Sequence, residues 1–292
     1  MSNKLEFRRG YYNDPNLRSA LNKLADEVFG LDFGPWNRLG YDFSEYTPFT
    51  LFDRDAAVAN ISASPMHLVI DGAEIDAVQI GTVATLPDYR GHGLIRQLMQ
   101  EVDDYWRPQC DLTFLFAAPQ AIDLYSRFGF RAYTEYRFAA ELPPITPTDA
   151  PSRRLDFKNT DDCDLLRKLA ENRTPVSNKL GVVRDAWLLM FHAVLSFSNQ
   201  VTYLPEHNVA VLSTIQDDRL DLIDVVGPQI PPLTDILPHI ADERVSRIHF
   251  GFTPDRFDII AEIATDPDSA LFVRGDLPTG QAPVRLPYTA EA

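Results

Sequence analysis

Cysteine is nearly absent from this chain: Cys110 and Cys163 are its only two, more than fifty residues apart and in no metal-binding or redox spacing. That excludes a disulfide scaffold and a thiolate metal site, and it fits a reducing compartment. Positive charge is also scarce. Lys and Arg total 27 against 42 Asp and Glu, a formal net charge of -15, which argues against sustained contact with a nucleic-acid backbone. No uncharged apolar run is long enough to span a bilayer. The start, MSNKLEFRRG, is polar and has no apolar leader region, so the expected location is cytoplasmic, with no membrane partner. His67, His192 and His249 stand isolated, without ligand spacing, and no metal is expected.

What the chain does have is enough apolar and aromatic residues for substantial cores (45% and 11%) and a length suited to two units of about 150 residues each. Leu5–Tyr12 reads as a strand. Asp14-Pro15 is a helix start, followed by Leu17, Ala20, Leu21, Leu24, Ala25 and Val28 on one helical face. Phe29–Phe52 is irregular and aromatic, either core filler or a lid, with the weight on core. Strands are predicted at Phe49–Phe52, Ala56–Ile61, His67–Ile70 and Ile75–Thr85, the last two joined by an Asp71-Gly72 hairpin turn. A helix with Leu94, Ile95, Leu98, Met99, Val102, Tyr105 and Trp106 on one face follows. After it come a strand at Leu112–Phe116, a helix from Pro119 to Phe128 ended by Gly129, and a strand at Arg131–Leu142.

The order is mixed α/β, with one parallel strand pair. Pro143, Pro144, Pro147 and Pro151 mark a linker, which sets the domains at 1–145 and 146–292. The second half echoes the first. Val209–Ile215 and Leu220–Val226 form a hairpin pattern around Asp217-Asp218, and Arg247–Pro254 followed by a helix-like run to Ile260 aligns without gaps with Leu112–Pro119 and the run to Tyr125. Ile260 takes the place of Tyr125, so the second copy keeps architecture and loses chemistry.

The most informative stretch is Thr85-Leu-Pro-Asp-Tyr-Arg-Gly-His-Gly-Leu-Ile95. A strand that stops at Pro87 and a helix that starts near Leu94 leave the N–H groups of Gly91, His92, Gly93, Leu94 and Ile95 without intrahelical partners. Such donors at the positive end of a helix dipole form an anion site, and glycine lets a phosphate approach the backbone.

Arg90-Gly-His-Gly93 resembles motif A of the GNAT superfamily of acyl-CoA-dependent N-acyltransferases. Ala121-Ile-Asp-Leu-Tyr125-Ser-Arg-Phe-Gly129-Phe130, at the family's usual distance downstream, resembles its motif B. The resemblance covers residues 5–142. The tandem arrangement is similar to two-domain bacterial members related to the enhanced-intracellular-survival acetyltransferases, with a GNAT fold followed by a degenerate GNAT-like second α/β domain. Two positions depart from the pattern: Ile95 stands where the family has Gly or Ala, and Ala118 where it often has Asn.

The resemblance implies that acetyl-CoA is the co-substrate, its diphosphate held by Arg90, Gly91, His92, Gly93, Leu94 and Ile95. The strand Val78–Thr85 would splay from Leu112–Phe116, and the pantetheine arm would pair with Val83, Ala84 and Thr85. Tyr125 would be the general acid to the leaving thiolate. Where histone-type relatives carry a glutamate base this chain has Gln79, which can orient a water but cannot take a proton; Glu45 and Asp42 are further acidic candidates. The expected acceptor is a primary amine of a small molecule. A protein N-acetyltransferase and a non-catalytic acyl-CoA-binding sensor or scaffold are the alternatives. The second half is expected to shape the acceptor cleft or a homo-oligomer contact.

Overall fold

The structure, a computed structural model, describes residues 4–40, 45–110, 112–280 and 282–292. In the first half the chain runs β1 (Glu6–Arg9), α1 (Pro15–Phe29), α2 (Gly34–Asn37), β2 (Thr47–Asp53), β3 (Ala56–Ile70), β4 (Ala73–Thr85), α3 (Leu94–Trp106), β5 (Leu112–Phe116), α4 (Ile122–Ser126), β6 (Arg131–Ala132) and β7 (Tyr136–Glu141). It continues through β8 (Arg153–Arg154), α5 (Thr160–Glu171), β9 (Leu180–Val183), α6 (Ala186–Leu195), β10 (Val201–Leu204), β11 (Val209–Gln216), β12 (Arg219–Val226), α7 (Leu233–Ile240), β13 (Arg247–Phe250), β14 (Glu262–Thr265) and β15 (Leu271–Arg274). The fold is α/β with two mixed sheets.

Local chemistry accounts for the elements that frame the site. The Asp14 carboxylate accepts from the amides of Asn16 and Leu17, Pro15 occupies the first turn, and Gly30 closes α1 in the left-handed region. Leu21, Leu24 and Ala25 of α1 pack on one face of the first sheet against Met66 and Leu68. Leu98, Met99 and Val102 of α3 pack on the other, against Ile61, Val78 and Ile80. The β3–β4 hairpin turns at Asp71 and Gly72, both at positive φ, as a two-residue loop requires.

β3 runs unbroken from Ala56 to Ile70, where the sequence predicts two separate strands. Pro65 is tolerated inside it because β2 pairs with β3 only as far as Ala63 and β9 begins pairing at His67. The missing N–H of Pro65 therefore falls in a gap of the ladder.

The two sheets exchange strands. The first has the order β1-β2-β3-β4-β5-β15-β6, with β9 also on β3; the second has the order β14-β7-β13-β12-β11-β10-β8. β7, from the first half, pairs with β13 and β14, and β15, from the second half, pairs with β5 and β6. The predicted strand 131–142 is thus two strands in different sheets.

The hairpin β11–β12 lies where the pattern places it. The helix expected after Pro254 does not form. Phe257 is instead drawn into the core beside Phe250 and Phe252, the Asp255 carboxylate accepts from Ser177 Oγ and the Asn178 amide, and Ile260 is left 97% exposed. No helix among the described residues is long and apolar enough to cross a membrane.

Candidate active site

β4 and β5 pair in parallel only over Ala77–Ile80 opposite Leu112–Leu115. β4 then continues to Thr85 along β3, while the end of β5 turns toward β15, with the Ala117 amide donating to Ala270 O at 2.8 Å. The gap between the two strands opens at Gly81, where the β3–β4 register shifts.

Thr82 makes the bulge at this point, with φ at +47°, a left-handed conformation that is a true outlier for a β-branched residue. A buried polar network holds it. Asn60, 0% exposed, donates from Nδ2 to Thr82 O at 2.9 Å and to Ser62 Oγ at 3.0 Å, and its Oδ1 accepts from Thr50 Oγ1 at 2.6 Å. Tyr46 donates its hydroxyl to Thr82 Oγ1 at 2.9 Å. Strain of about 1–3 kcal/mol at such a residue persists only where its surroundings over-determine it. Asn60→Leu is therefore expected to destabilise the fold by about 1–3 kcal/mol, because it leaves the Thr82 carbonyl and the Thr50 hydroxyl without this buried partner. Thermal melts and denaturant titration of the two proteins check this.

Past Thr85 the chain makes a short 3-10 turn, Pro87–Tyr89, tied to β2 by the Tyr89 hydroxyl donating to Asp53 Oδ2 at 2.7 Å. Gly91 and Gly93 follow at φ +77° and +75°, and Gly93 caps α3 with no side-chain bond. The first helical hydrogen bond is from the Gln97 amide to Gly93 O, at 3.1 Å. Among the described residues no acceptor takes the amides of residues 91–95. Five donors at the positive end of α3 are thus free for an anion.

Tyr125, on α4, is 5% exposed and meets Phe130 edge-on at 6.1 Å. No side chain or carbonyl among the described residues bonds its hydroxyl, and burial raises its pKa to about 12, so the phenol stays protonated.

One cavity of about 1080 Å³ brings these features together. Val83, Thr85, Arg90, Gly91, Gly93, Leu94, Ile95 and Tyr125 all line it. Arg90 sits at the rim, its Nε donating to Thr85 O at 3.2 Å. Four residues of the sequence reading do not reach the wall. His92 is exposed outside it, and Ala84 packs its side chain into the core behind β4. Gln79 is buried, with Nε2 donating to Ala290 O at 3.1 Å, so it holds the C-terminal segment instead of facing the cavity. Glu45 is also off the wall, and Asp42 lies outside the described residues.

The sequence reading missed the far wall. Trp187, Leu188 and Phe191 of α6 reach the cavity from the second half and meet Phe33, Trp36 and Tyr46 there. The one available signal was α6 itself, AWLLMFHAVL, apolar on every side and hence buried between two bodies.

Segment 288–292 completes the site from the second half. The Tyr288 amide donates to Gly251 O at 2.9 Å, just past the point where β12 and β13 stop pairing. Thr289 bonds Asp224, which with Asp185 holds the fully buried Arg173. Ala292 then rests against Gly81 at the mouth of the split. Among the described residues no group of three or more His, Cys, Asp or Glu is placed to hold a metal.

Residues 19–133 match the family described as the acetyltransferase (GNAT) domain. No curated protein matches the chain. Among solved structures, a probable N-acyltransferase from Enterococcus faecalis V583 aligns over 93% of this chain and 72% of its own, with TM-score 0.61 and 15% identity. A GCN5-related N-acetyltransferase from Kribbella flavida aligns over 92% and 72%, with TM-score 0.57 and 16% identity. Eis1 from Mycobacterium abscessus aligns over 93% and 73%, with TM-score 0.55 and 15% identity. At these identities the likeness is one of fold.

Proposed function

We propose that this chain, which belongs to the GNAT acetyltransferase superfamily through residues 19–133, transfers the acetyl group of acetyl-CoA to a primary amine of a small molecule. The observation that carries the proposal is the convergence on one cavity of four residues whose amides have no partner among the described residues, Gly91, Gly93, Leu94 and Ile95, and of the Tyr125 phenol. The amides of residues 91–95, with glycine at 91 and 93, fit a diphosphate, and the free edge of β4 from Val83 to Thr85 fits an extended pantetheine arm. Main chain at the Thr82 bulge is positioned to stabilise negative charge on the thioester oxygen, and Tyr125 supplies the proton to the departing sulfur. Holding the amine beside the thioester removes much of the entropic barrier.

A cleft walled by both halves supports a small acceptor over a protein chain. The second reading, an acyl-CoA sensor without turnover, has in its favour that Gln79 is neutral and engaged with Ala290. CoA release from acetyl-CoA across an amine panel separates the two: amine-dependent release supports the transferase, and CoA binding with no release supports the sensor.

The pH profile follows from Tyr125. The acceptor must be neutral, so kcat/KM is expected to climb as pH approaches an amine pKa near 10.4. The acid must stay protonated, and burial holds Tyr125 up to about 12, so no falling limb is expected below about pH 10. A descending limb at pH 8–9 in stopped-assay profiles would point to a different acid.

A further inference from the structure

We infer that Thr289, held by the buried cluster of Asp224, Arg173 and Asp185, is a positioning residue that seats segment 288–292 as a partition keeping water from the thioester; this rests on the acetyltransferase reading above. Each residue of the segment is fixed by a different part of the fold. The Tyr288 amide donates to Gly251 O, Thr289 Oγ1 donates to Asp224 Oδ2, and Ala290 O accepts from Gln79 Nε2 at 3.1 Å. His192 Nε2 donates to Glu291 O at 2.5 Å, and Ala292 rests against Gly81. β4, β12, α6 and the residue after β13 thus converge on one short stretch.

The charge cluster sets Thr289 apart from the other anchors. Arg173, its side chain fully buried, donates from Nη1 to Asp185 Oδ2 at 3.2 Å and from Nη2 to Asp224 Oδ1 at 2.6 Å. Asp224 Oδ1 also accepts from the Val225 amide at 2.8 Å, which leaves Oδ2 to the Thr289 hydroxyl, its one partner among the described residues. A buried carboxylate oxygen without a partner is costly, so docking the segment and satisfying Asp224 are a single event. Buried ion clusters seldom add net stability over a well-packed apolar core of the same volume. What this one supplies is a fixed place for the segment.

That place lies between two cavities. Ala292 lines the cofactor cleft, and its neighbour Glu291 lines a second cavity of about 790 Å³. Glu135, Asp266 and Arg285 also line the second cavity, and Phe116 belongs to the walls of both. A polar cavity of that size admits water. The thioester, on the acetyltransferase reading, lies at the Gly81–Thr82 corner beside Ala292, so the segment stands between that water and the reacting carbon. With the segment loosened, water adds to the carbon, the C–S bond breaks, and acetate, CoA and one proton leave with no amine consumed. Excluding water is how a closed site protects an activated group.

Thr289→Val keeps the shape of the side chain and removes the hydroxyl, while Gln79→Leu frees Ala290 O from the other side. With acetyl-CoA alone and no amine, both variants should release CoA about tenfold faster than the parent protein, and Thr289→Ser, which keeps the hydroxyl, should match the parent. Calorimetric CoA affinity should stay the same in all four proteins, because residues 91–95 are untouched. A merely structural role predicts release that is slower or unchanged in the variants, and that result overturns the inference.

Hydrogen exchange gives a readout independent of turnover. The amides of Leu286, Tyr288 and Ala290, bonded to Glu135, Gly251 and Pro287, should exchange about tenfold faster in both variants while the rest of the fold keeps its protection. Exchange that is unaltered, or quickened equally across the chain, also overturns the inference. Failure of the parent protein to bind CoA would instead count against the acetyltransferase reading, so the two failures are distinguishable.

Discussion

Tyr125→Phe should cut turnover by about 10²- to 10⁴-fold, the usual contribution of a positioned general acid, while acetyl-CoA binds almost as before. The substitution removes one oxygen and nothing else. Because no group among the described residues bonds that hydroxyl, its loss leaves no orphaned partner and no cavity, and the fold should be at least as stable. Thermal melts alongside steady-state kinetics separate the cases. A fall in kcat with unchanged melting temperature and unchanged acetyl-CoA KM is the expected result, and unchanged kcat would remove Tyr125 from the mechanism.

Gly93→Val should weaken CoA binding by about 30-fold or more without unfolding the protein. A Cβ at Gly93 would meet nothing within 4 Å, so the substitution is tolerated sterically. The cost lies in the backbone: φ is +75°, and a β-branched residue there carries strain of about 2 kcal/mol. The turn relaxes by rotating the amides away from the anion, and about 2 kcal/mol is a factor of about 30 in affinity. Gly93→Asn should fall between, since asparagine tolerates the left-handed region. Equal affinity in all three proteins, by calorimetry with CoA, would place the diphosphate elsewhere.

The parts of this site that were legible in the sequence are those set by local backbone demands. A turn that needs positive φ at two positions shows its glycines, Asp14-Pro15 announces a helix, and Asp71-Gly72 announces a hairpin. What was hidden is non-local. Gln79 reads in the sequence as a group that can orient a water, and its bond to Ala290 could not be seen there because the two lie 211 residues apart. The continuity of β3 across Pro65 was hidden because the gap between β2 and β9 that accommodates the proline is a property of the sheet. The helix predicted after Pro254 failed because Phe257 gains more by joining Phe250 and Phe252 than by extending a helical face. The strand exchange of β7 and β15 is likewise decided by tertiary pairing, as is the pairing of β9 with β3, which brings the following α6 and its aromatic residues to the first half's cleft.

The most direct test is a crystal structure of the protein with CoA bound. The account predicts the diphosphate within hydrogen-bond distance of the amides of residues 91–95 and the sulfur within reach of the Tyr125 hydroxyl, in the gap between β4 and β5. A diphosphate held away from those amides, or a sulfur facing away from Tyr125, would contradict it.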